Sequence, residues 1–420
     1  MSWLIILSFV LAPTYAIKFN LFGLPTDLLM MWVVLVWIIF IGWLIIKKQV
    51  SDYLKFKFAI DRKILFFVGL FFLAGLISTF VGGFSRANLG QFIVLILQPI
   101  SLFFIGGYLF NKNPNAKPLL LNTLYFILAL AGLYAILQYF TLVGLSPAWW
   151  GNSDEPKRAL SFFVHPNFYA LWCAPLLAFL IPDVSHHLGV ILRAGRPEKS
   201  HNEILQLTLQ DDANYAWVIA KVIFWIIGVV GLLLSLSRAG WLGLGVAALV
   251  YLIVAADKKI RKLALGAVIV MAIVIISVPN LRWRFVLPFY GEKSAVSRLS
   301  LWHTGIKGIK ESPILGLGLT GFSNQWTTLN TDPGLTDTHN FPHNIFLDFW
   351  VETGLLGLIS FIGIAWLGLH QGFKNRHDAI KLGVTLFLLA LIIQGLIDNP
   401  YFKNDLALMF WTILSLVMTI

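Results

Sequence analysis

The sequence predicts an all-α, polytopic membrane protein with about a dozen transmembrane helices, and three observations predict it. Hydrophobic residues make up 58% of the 420 residues and charged residues only 12%, with a mean hydropathy of +0.81, whereas an ordinary soluble domain carries roughly 25% charged residues. Apolar runs of near-spanning length recur from one end of the chain to the other. Lysine and arginine collect in alternate connections, as they do when basic flanks are held on the cytoplasmic side. A soluble globule needs a polar exterior, and this composition cannot supply one. Lipid accepts an apolar exterior, provided that every backbone polar group is satisfied within a helix.

A span needs about 20 residues to cross roughly 30 Å of hydrocarbon. The candidate runs are 3–17, 28–46, 64–83, 89–110, 118–140, 162–182, 216–236, 239–256, 262–278, 345–370, 380–397 and 406–420. The first lacks a basic n-region and a clear small-residue cleavage site, so it is expected to be retained rather than removed as a signal peptide. This divides the chain into nine spans over 1–278, an extracytoplasmic loop over 279–344, and three spans over 345–420. Lys47, Lys48, Lys55, Lys57, Arg62 and Lys63 share one connection, while its neighbours carry only Lys18 and Arg86. The basic stretches Arg193 to Lys199, Lys258 to Lys262 and Lys374 to Lys381 fall on the same side, which makes both termini cytoplasmic. The net charge of +11 is then mostly a topological signal, and no nucleic-acid partner is expected. One cysteine, Cys173, excludes an intrachain disulfide and a multi-cysteine metal site.

Two connections exceed a turn. The cytoplasmic one, about 183–215, holds His186, His187, Arg193, Arg196, Asp211 and Asp212, but adjacent identical polar residues in a solvated loop carry no particular chemistry. The extracytoplasmic one is rich in Trp, Gly, Pro and Asn rather than in charge, so it is expected to be ordered, with short helices packed on the membrane face. Leu299, Trp302, Ile306 and Ile309 recur at three- and four-residue steps, which places them on one face of a helix beginning near Ser297. Arg298 would then sit in a first turn, where the helix dipole disfavours a cation unless an anion or solvent compensates.

Candidate chemistry gathers at the start of the tenth run, in Thr338-His339-Asn340-Phe341-Pro342-His343-Asn344. Pro342 suits a first helical turn, so His343 and Asn344 should point from the extracytoplasmic mouth of the bundle. Asp348 and Glu352 lie four apart and share a helix face. Ionisable groups at such depth usually face a cavity or a partner, and a carboxylate can orient an imidazole and raise its basicity. Asp348, Glu352 and His339 are all open as the partner of His343. Arg238, in Ser235-Leu236-Ser237-Arg238-Ala239-Gly240-Trp241, stands between two apolar runs on the same side. It either snorkels to the interface or offers its planar fork to a phosphate.

Three stretches resemble the O-antigen ligase family of polytopic glycosyltransferases, which also includes O-antigen polymerases and protein O-oligosaccharyltransferases. They are Ser237-Arg-Ala-Gly-Trp241, then Arg298-Leu-Ser-Leu-Trp302 followed by Pro313-Ile-Leu-Gly-Leu-Gly318, and finally His343-Asn344, nine residues, and Gly354-Leu-Leu-Gly357. The last spacing is the most specific signal in the chain. Arg158 through His165-Pro166-Asn167 resembles a segment common in the wider family. The likeness covers the C-terminal half well, while the first 150 residues offer only hydropathy.

The resemblance implies a GT-C-like helical architecture in a bacterial inner membrane, with the active site on the periplasmic side. It implies a metal-independent, inverting transfer with no cofactor, from an undecaprenyl diphosphate-linked glycan to a hydroxyl of lipid A-core or another glycan. By residue, it implies a base at His343 and diphosphate-binding arginines at Arg238 and Arg298; Asn344, His339, Glu352 and Arg158 complete the candidate substrate-binding set. A polymerase that uses a lipid-linked acceptor is the nearest alternative, because Leu358 stands where the ligase pattern has Thr or Val. A secondary transporter is the alternative from another class, but the repeated halves with broken helices common to transporters are not seen.

Overall fold

The computed structural model describes the chain apart from residues 22–23, 152–155, 195–211, 278–281, 283–292, 331, 333, 335–338 and 419–420. Within it, six helices are long and apolar enough to cross a membrane: Leu28–Ile46, Arg62–Val81, Arg86–Lys112, Ala116–Thr141, Tyr215–Leu234 and Ile345–Lys374. A seventh span is added if Pro166–Phe179 and Ile181–Leu192, bent by 54° at their junction, count as one. Pro182 explains that bend, because it lacks the N–H that would continue the ladder and its ring clashes with the preceding turn. Arg238–Val254, Ala379–Gly395 and Asn404–Val417 are apolar but shorter. The first apolar run divides into a helix Ser2–Val10 and a 3-10 turn Ala12–Ala16. The protein is thus a helical, multi-pass membrane protein. The connection between the first two runs holds a small antiparallel hairpin, Lys18–Leu21 against Leu24–Asp27, which the apolar pattern did not predict.

The surface explains why composition was decisive. On the helix Leu28–Ile46, Leu29, Val33, Val36 and Phe40 are buried, whereas Leu35, Ile38, Ile41 and Ile45 are exposed. Both sets recur at three- and four-residue steps, so the helix is apolar on its buried and its outward face, as a lipid-facing helix is.

The chain divides into two compact units. One comprises Met1–Leu120, Leu287–Gln371 and Leu391–Ile420, and the other Leu121–Val286 and Gly372–Ala390. In the first unit a helix, Lys293–Glu311, carries Arg298. It begins before Ser297, so Arg298 lies beyond its first turn and the expected conflict with the helix dipole does not arise. Its buried side is Leu301, Thr304, Gly305, Gly308 and Ile309. Of the expected stripe only Ile309 belongs to that side; Leu299 is 56% and Ile306 40% exposed. The glycines explain the shift: a Cβ at Gly305 would meet Pro342 Cγ at 2.9 Å, and one at Gly308 would meet Leu317 Cδ1 at 2.9 Å. Close approach selected the glycine face over the more hydrophobic one.

The helix Ile345–Lys374 is interrupted at Gly354, whose φ of 68° and ψ of −175° are not helical. Gly354 and Gly357, three residues apart, therefore do not share a regular helix face. At the break, Val351 O accepts from Leu317 N (2.7 Å) and Leu355 N donates to Ile314 O (3.0 Å), so both groups of the lost 355-to-351 bond find partners in the Pro313–Gly318 stretch. A Cβ at Gly354 would lie 2.4 Å from Ile314 O, and one at Gly316 would lie 2.6 Å from Val351 O. The Gly-rich segment and the Gly-Leu-Leu-Gly segment are thus two halves of one backbone junction, and glycine is required on both sides of it.

Candidate active site

His343 sits immediately before that interrupted helix, and Asn344 caps it: Asn344 Oδ1 accepts from Phe346 N (3.1 Å) and Leu347 N (3.3 Å). This is the cap expected where orphan N–H groups need acceptors. The amide of the same side chain donates from Nδ2 to Leu396 O (3.1 Å), so Asn344, named from sequence as a substrate contact, also joins the helix start to the segment around Leu396. Pro342 precedes the helix instead of lying in its first turn, because His343 takes a left-handed conformation (φ 59°) and regular helix begins only at Ile345. A non-glycine residue in that region costs about 1 kcal/mol or more, and such outliers cluster at functional sites.

The imidazole meets a carboxylate that the sequence reading did not name. His343 Nδ1 lies 3.0 Å from Oδ1 of Asp398, with the His343 side chain 33% exposed and that of Asp398 only 3%. Asp398 follows the helix Ala379–Gly395, and the same Oδ1 accepts from Asn399 N (2.9 Å). Burial by itself would raise this carboxyl. The hydrogen bond and charge of His343, the charge of Arg298 and the Asn399 amide outweigh it and hold Asp398 at about 2, below the usual carboxylate range. An ionised carboxylate only accepts, so the nitrogen facing Asp398, Nδ1, is the one that carries a proton, which leaves Nε2 as the nitrogen that can act as a base when the ring is neutral.

Arg298 adjoins the pair. Its Nε donates to Ile397 O (2.7 Å), one residue before Asp398, and Trp302 of the same helix reaches the His343 carbonyl through Nε1 at 3.5 Å. One helix thus braces both sides of the His–Asp contact. His339 lies between Trp326 (ring centroids 5.2 Å, tilted) and His343 (6.4 Å, edge-on), and the acid at Nδ1 of His343 is Asp398.

The two carboxylates favoured from sequence do other work. Glu352 is buried and accepts from Thr320 N (2.6 Å) and Phe322 N (3.3 Å). It fixes the turn at which Thr320 takes φ 62°; Thr320 Oγ1 in turn donates to Asn88 Oδ1 (2.6 Å). Asp348 is buried, with the Asn344 amide 3.5 Å from its Oδ1. Asp398 had a signal in the sequence: it is an acid just past the end of the run 380–397, on the side that the charge alternation assigns to His343. The apolar period around it gave no reason to connect residues 55 apart.

In the second unit Arg238 opens the helix Arg238–Val254, after Ser237 and a left-handed Leu236 (φ 50°). Arg158 donates from Nε to Ser235 O (2.9 Å) and from Nη2 to Asn167 Oδ1 (2.6 Å). Its guanidinium lies 5.6 Å from the centre of the Trp149 ring, which meets His165 edge-on at 4.6 Å. His165 caps the helix Pro166–Phe179 by accepting at Nδ1 from Asn167 N (3.0 Å). The two sequence-named stretches, Arg158 to Asn167 and Ser235 to Trp241, are therefore in direct contact.

A comparison with protein families finds a match to the model described as O-Antigen ligase over residues 223–362, one third of the chain. All three stretches singled out above lie inside it, whereas Arg158 and Asp398 lie outside. An uncharacterized protein of Haemophilus influenzae is 28% identical over 162 residues, which is 34% of this chain and 41% of that relative. The domain match, and the motifs it spans, make residues 223–362 similar to the O-antigen ligase family and support assigning the chain to it.

Proposed function

We propose that the protein is a glycosyltransferase that moves a glycan from undecaprenyl diphosphate to a hydroxyl of lipid A-core, with His343 as general base and Asp398 as the group that orients it. The family points to a membrane enzyme of ligase or polymerase type; donor, acceptor and mechanism are our reading. The observation that carries it is the His343–Asp398 contact of 3.0 Å between a part-exposed imidazole and a buried, ionised acid. Nε2 takes the proton of the acceptor hydroxyl, the freed oxygen attacks the anomeric carbon, and the bond from that carbon to the diphosphate oxygen breaks. Undecaprenyl diphosphate leaves, and a single displacement inverts the anomeric centre. A positioned base of this kind contributes typically 10² to 10⁴-fold. Arginine suits the charge that grows on the departing diphosphate; Arg298 is the candidate beside the dyad, and Arg238 carries the same expectation from its motif. His339 and Asn344 are proposed to contact substrate at the edge of the site, Glu352 to hold the 320–322 turn in place. The basic-loop alternation supports an inner-membrane orientation with both termini cytoplasmic and the site on the periplasmic side.

The test is purified protein given lipid-linked glycan with lipid A-core or with no second acceptor. Product on lipid A-core supports the ligase. Lengthened lipid-linked glycan would make it a polymerase, the reading favoured by Leu358. Substrate flux in liposomes without product would overturn glycosyl transfer altogether.

A further inference from the structure

Arg158 has the chemistry of a substrate ligand but the geometry of a clamp. Its backbone runs past the end of the helix Asp212–Leu234: Arg158 N donates to Trp149 O (3.1 Å) and Ala159 N to Leu234 O (3.0 Å). Its side chain then spends three distinct features on the protein, with Nε on the Ser235 carbonyl, Nη2 on the Asn167 side chain and the cationic face on Trp149. The Ser235 carbonyl belongs to the C-terminal end of a helix, where carbonyls lack intrahelical partners and a cation is favourable. One residue later Leu236 adopts its left-handed conformation, and two residues after that Arg238 begins the next helix. Asn167, the other partner, stands in the first turn of the helix Pro166–Phe179, which packs against the helix of Arg238. The turn is held internally as well, by Ser237 N donating to Ser235 Oγ (3.3 Å) and Trp241 Nε1 to Leu232 O (3.2 Å).

We propose that Arg158 is a positioning residue for Arg238: by clamping the Ser235 carbonyl and Asn167, it fixes the 235–238 turn and hence the direction in which the Arg238 guanidinium is presented to the donor. This rests on the glycosyl-transfer reading above for its consequence, though not for its geometry. Lysine cannot make the clamp, since an ammonium lacks the fixed fork and the planar face.

Two measurements on the full-length protein test it. Backbone amide exchange, followed by mass spectrometry, should quicken across 235–241 in Arg158→Lys and in Asn167→Ala, while the middle of the helix Arg238–Val254 stays protected. In the transfer assay, Arg158→Lys should lower kcat/KM for the lipid-linked donor about tenfold, the scale of a lost charge-assisted hydrogen bond, with the acceptor KM unchanged. Arg158→Lys combined with Arg238→Lys should be no worse than Arg238→Lys alone, because residues acting through one another are not additive. Losses that multiply would make Arg158 a donor contact in its own right and overturn the proposal, as would unchanged exchange across 235–241. Asn167→Ala removes one partner and keeps the arginine, so it decides the matter if Arg158→Lys does not fold. A wild-type protein without transfer would sink the functional reading instead, and the exchange measurement would still decide the clamp.

Discussion

The His343 turn and the Arg238 turn solve a similar problem in opposite ways. Each delivers a polar side chain at the start of a helix, and each uses a non-glycine residue in the left-handed region, His343 at φ 59° and Leu236 at φ 50°. At the first, the strained residue is itself the proposed base, and its ring meets an acid brought in from 55 residues away. At the second, the strain lies two residues before the arginine, and the anchor is a guanidinium from 77 residues upstream gripping a backbone carbonyl. The difference teaches that a base must be fixed at its own ring, since its tautomer decides which nitrogen reacts. An arginine can be aimed from its backbone, because its charge and donors do not depend on a proton.

The largest expected effect is at the first turn. His343→Ala should lower transfer by roughly 10² to 10⁴-fold while membrane insertion and donor binding persist. Loss of binding with an unchanged catalytic step would make His343 a substrate contact, and a far larger loss in His339→Ala would move the base to His339. Asp398→Asn comes next, at about 10²-fold in kcat with donor KM little changed, because the amide cannot hold Nδ1 as its donor with the same strength. An equal fall in folded protein, with kcat intact, would reduce Asp398 to a structural role.

Arg298→Lys should cost about tenfold in kcat/KM, since the charge stays but the Nε hydrogen bond to Ile397 O and the planar fork are lost. Full activity there would remove Arg298 from the site. The smallest effect is a pH dependence. Asp398 is depressed to about 2, so its contribution to stability is complete above the ordinary carboxylate value of about 3.9 and fades only as pH falls toward 2. The thermal-stability gap between wild type and Asp398→Asn should therefore not shrink between pH 8 and pH 5. A shrinking gap would mean that Asp398 titrates in that window and is not the fixed carboxylate of the dyad.

Much of the candidate site was legible because its residues are tied to local pattern. His343, Arg298 and Arg238 stand in short motifs of fixed spacing, and His339 and Asn344 flank one of them. What resisted reading was pairing. The acid of the dyad, the partner of Glu352 and the anchor of the Ser235 carbonyl are all joined across more than 30 residues, and nothing in helical periodicity encodes which polar residue meets which. Leu299 and Ile306 failed for a related reason: period alone picks the most apolar face, but glycines at 305 and 308 allowed closer backbone packing on another.

The sequence by itself determined the solvent of this protein and its helical class, because burying peptide groups in lipid leaves a chain of this composition almost no other choice, whereas of the twelve spans it suggested the described residues give six helices long enough to cross, or seven with the bent pair. Only the tertiary structure decided that Gly354 breaks a helix so that the Pro313–Gly318 stretch can complete its hydrogen bonds, and that His343 is oriented by Asp398 and not by Asp348 or Glu352. Those outcomes depend on backbone approach within a few tenths of an ångström and on the direction of single side chains. Such directions are fixed by packing between distant segments, which hydrophobic period and residue spacing do not specify.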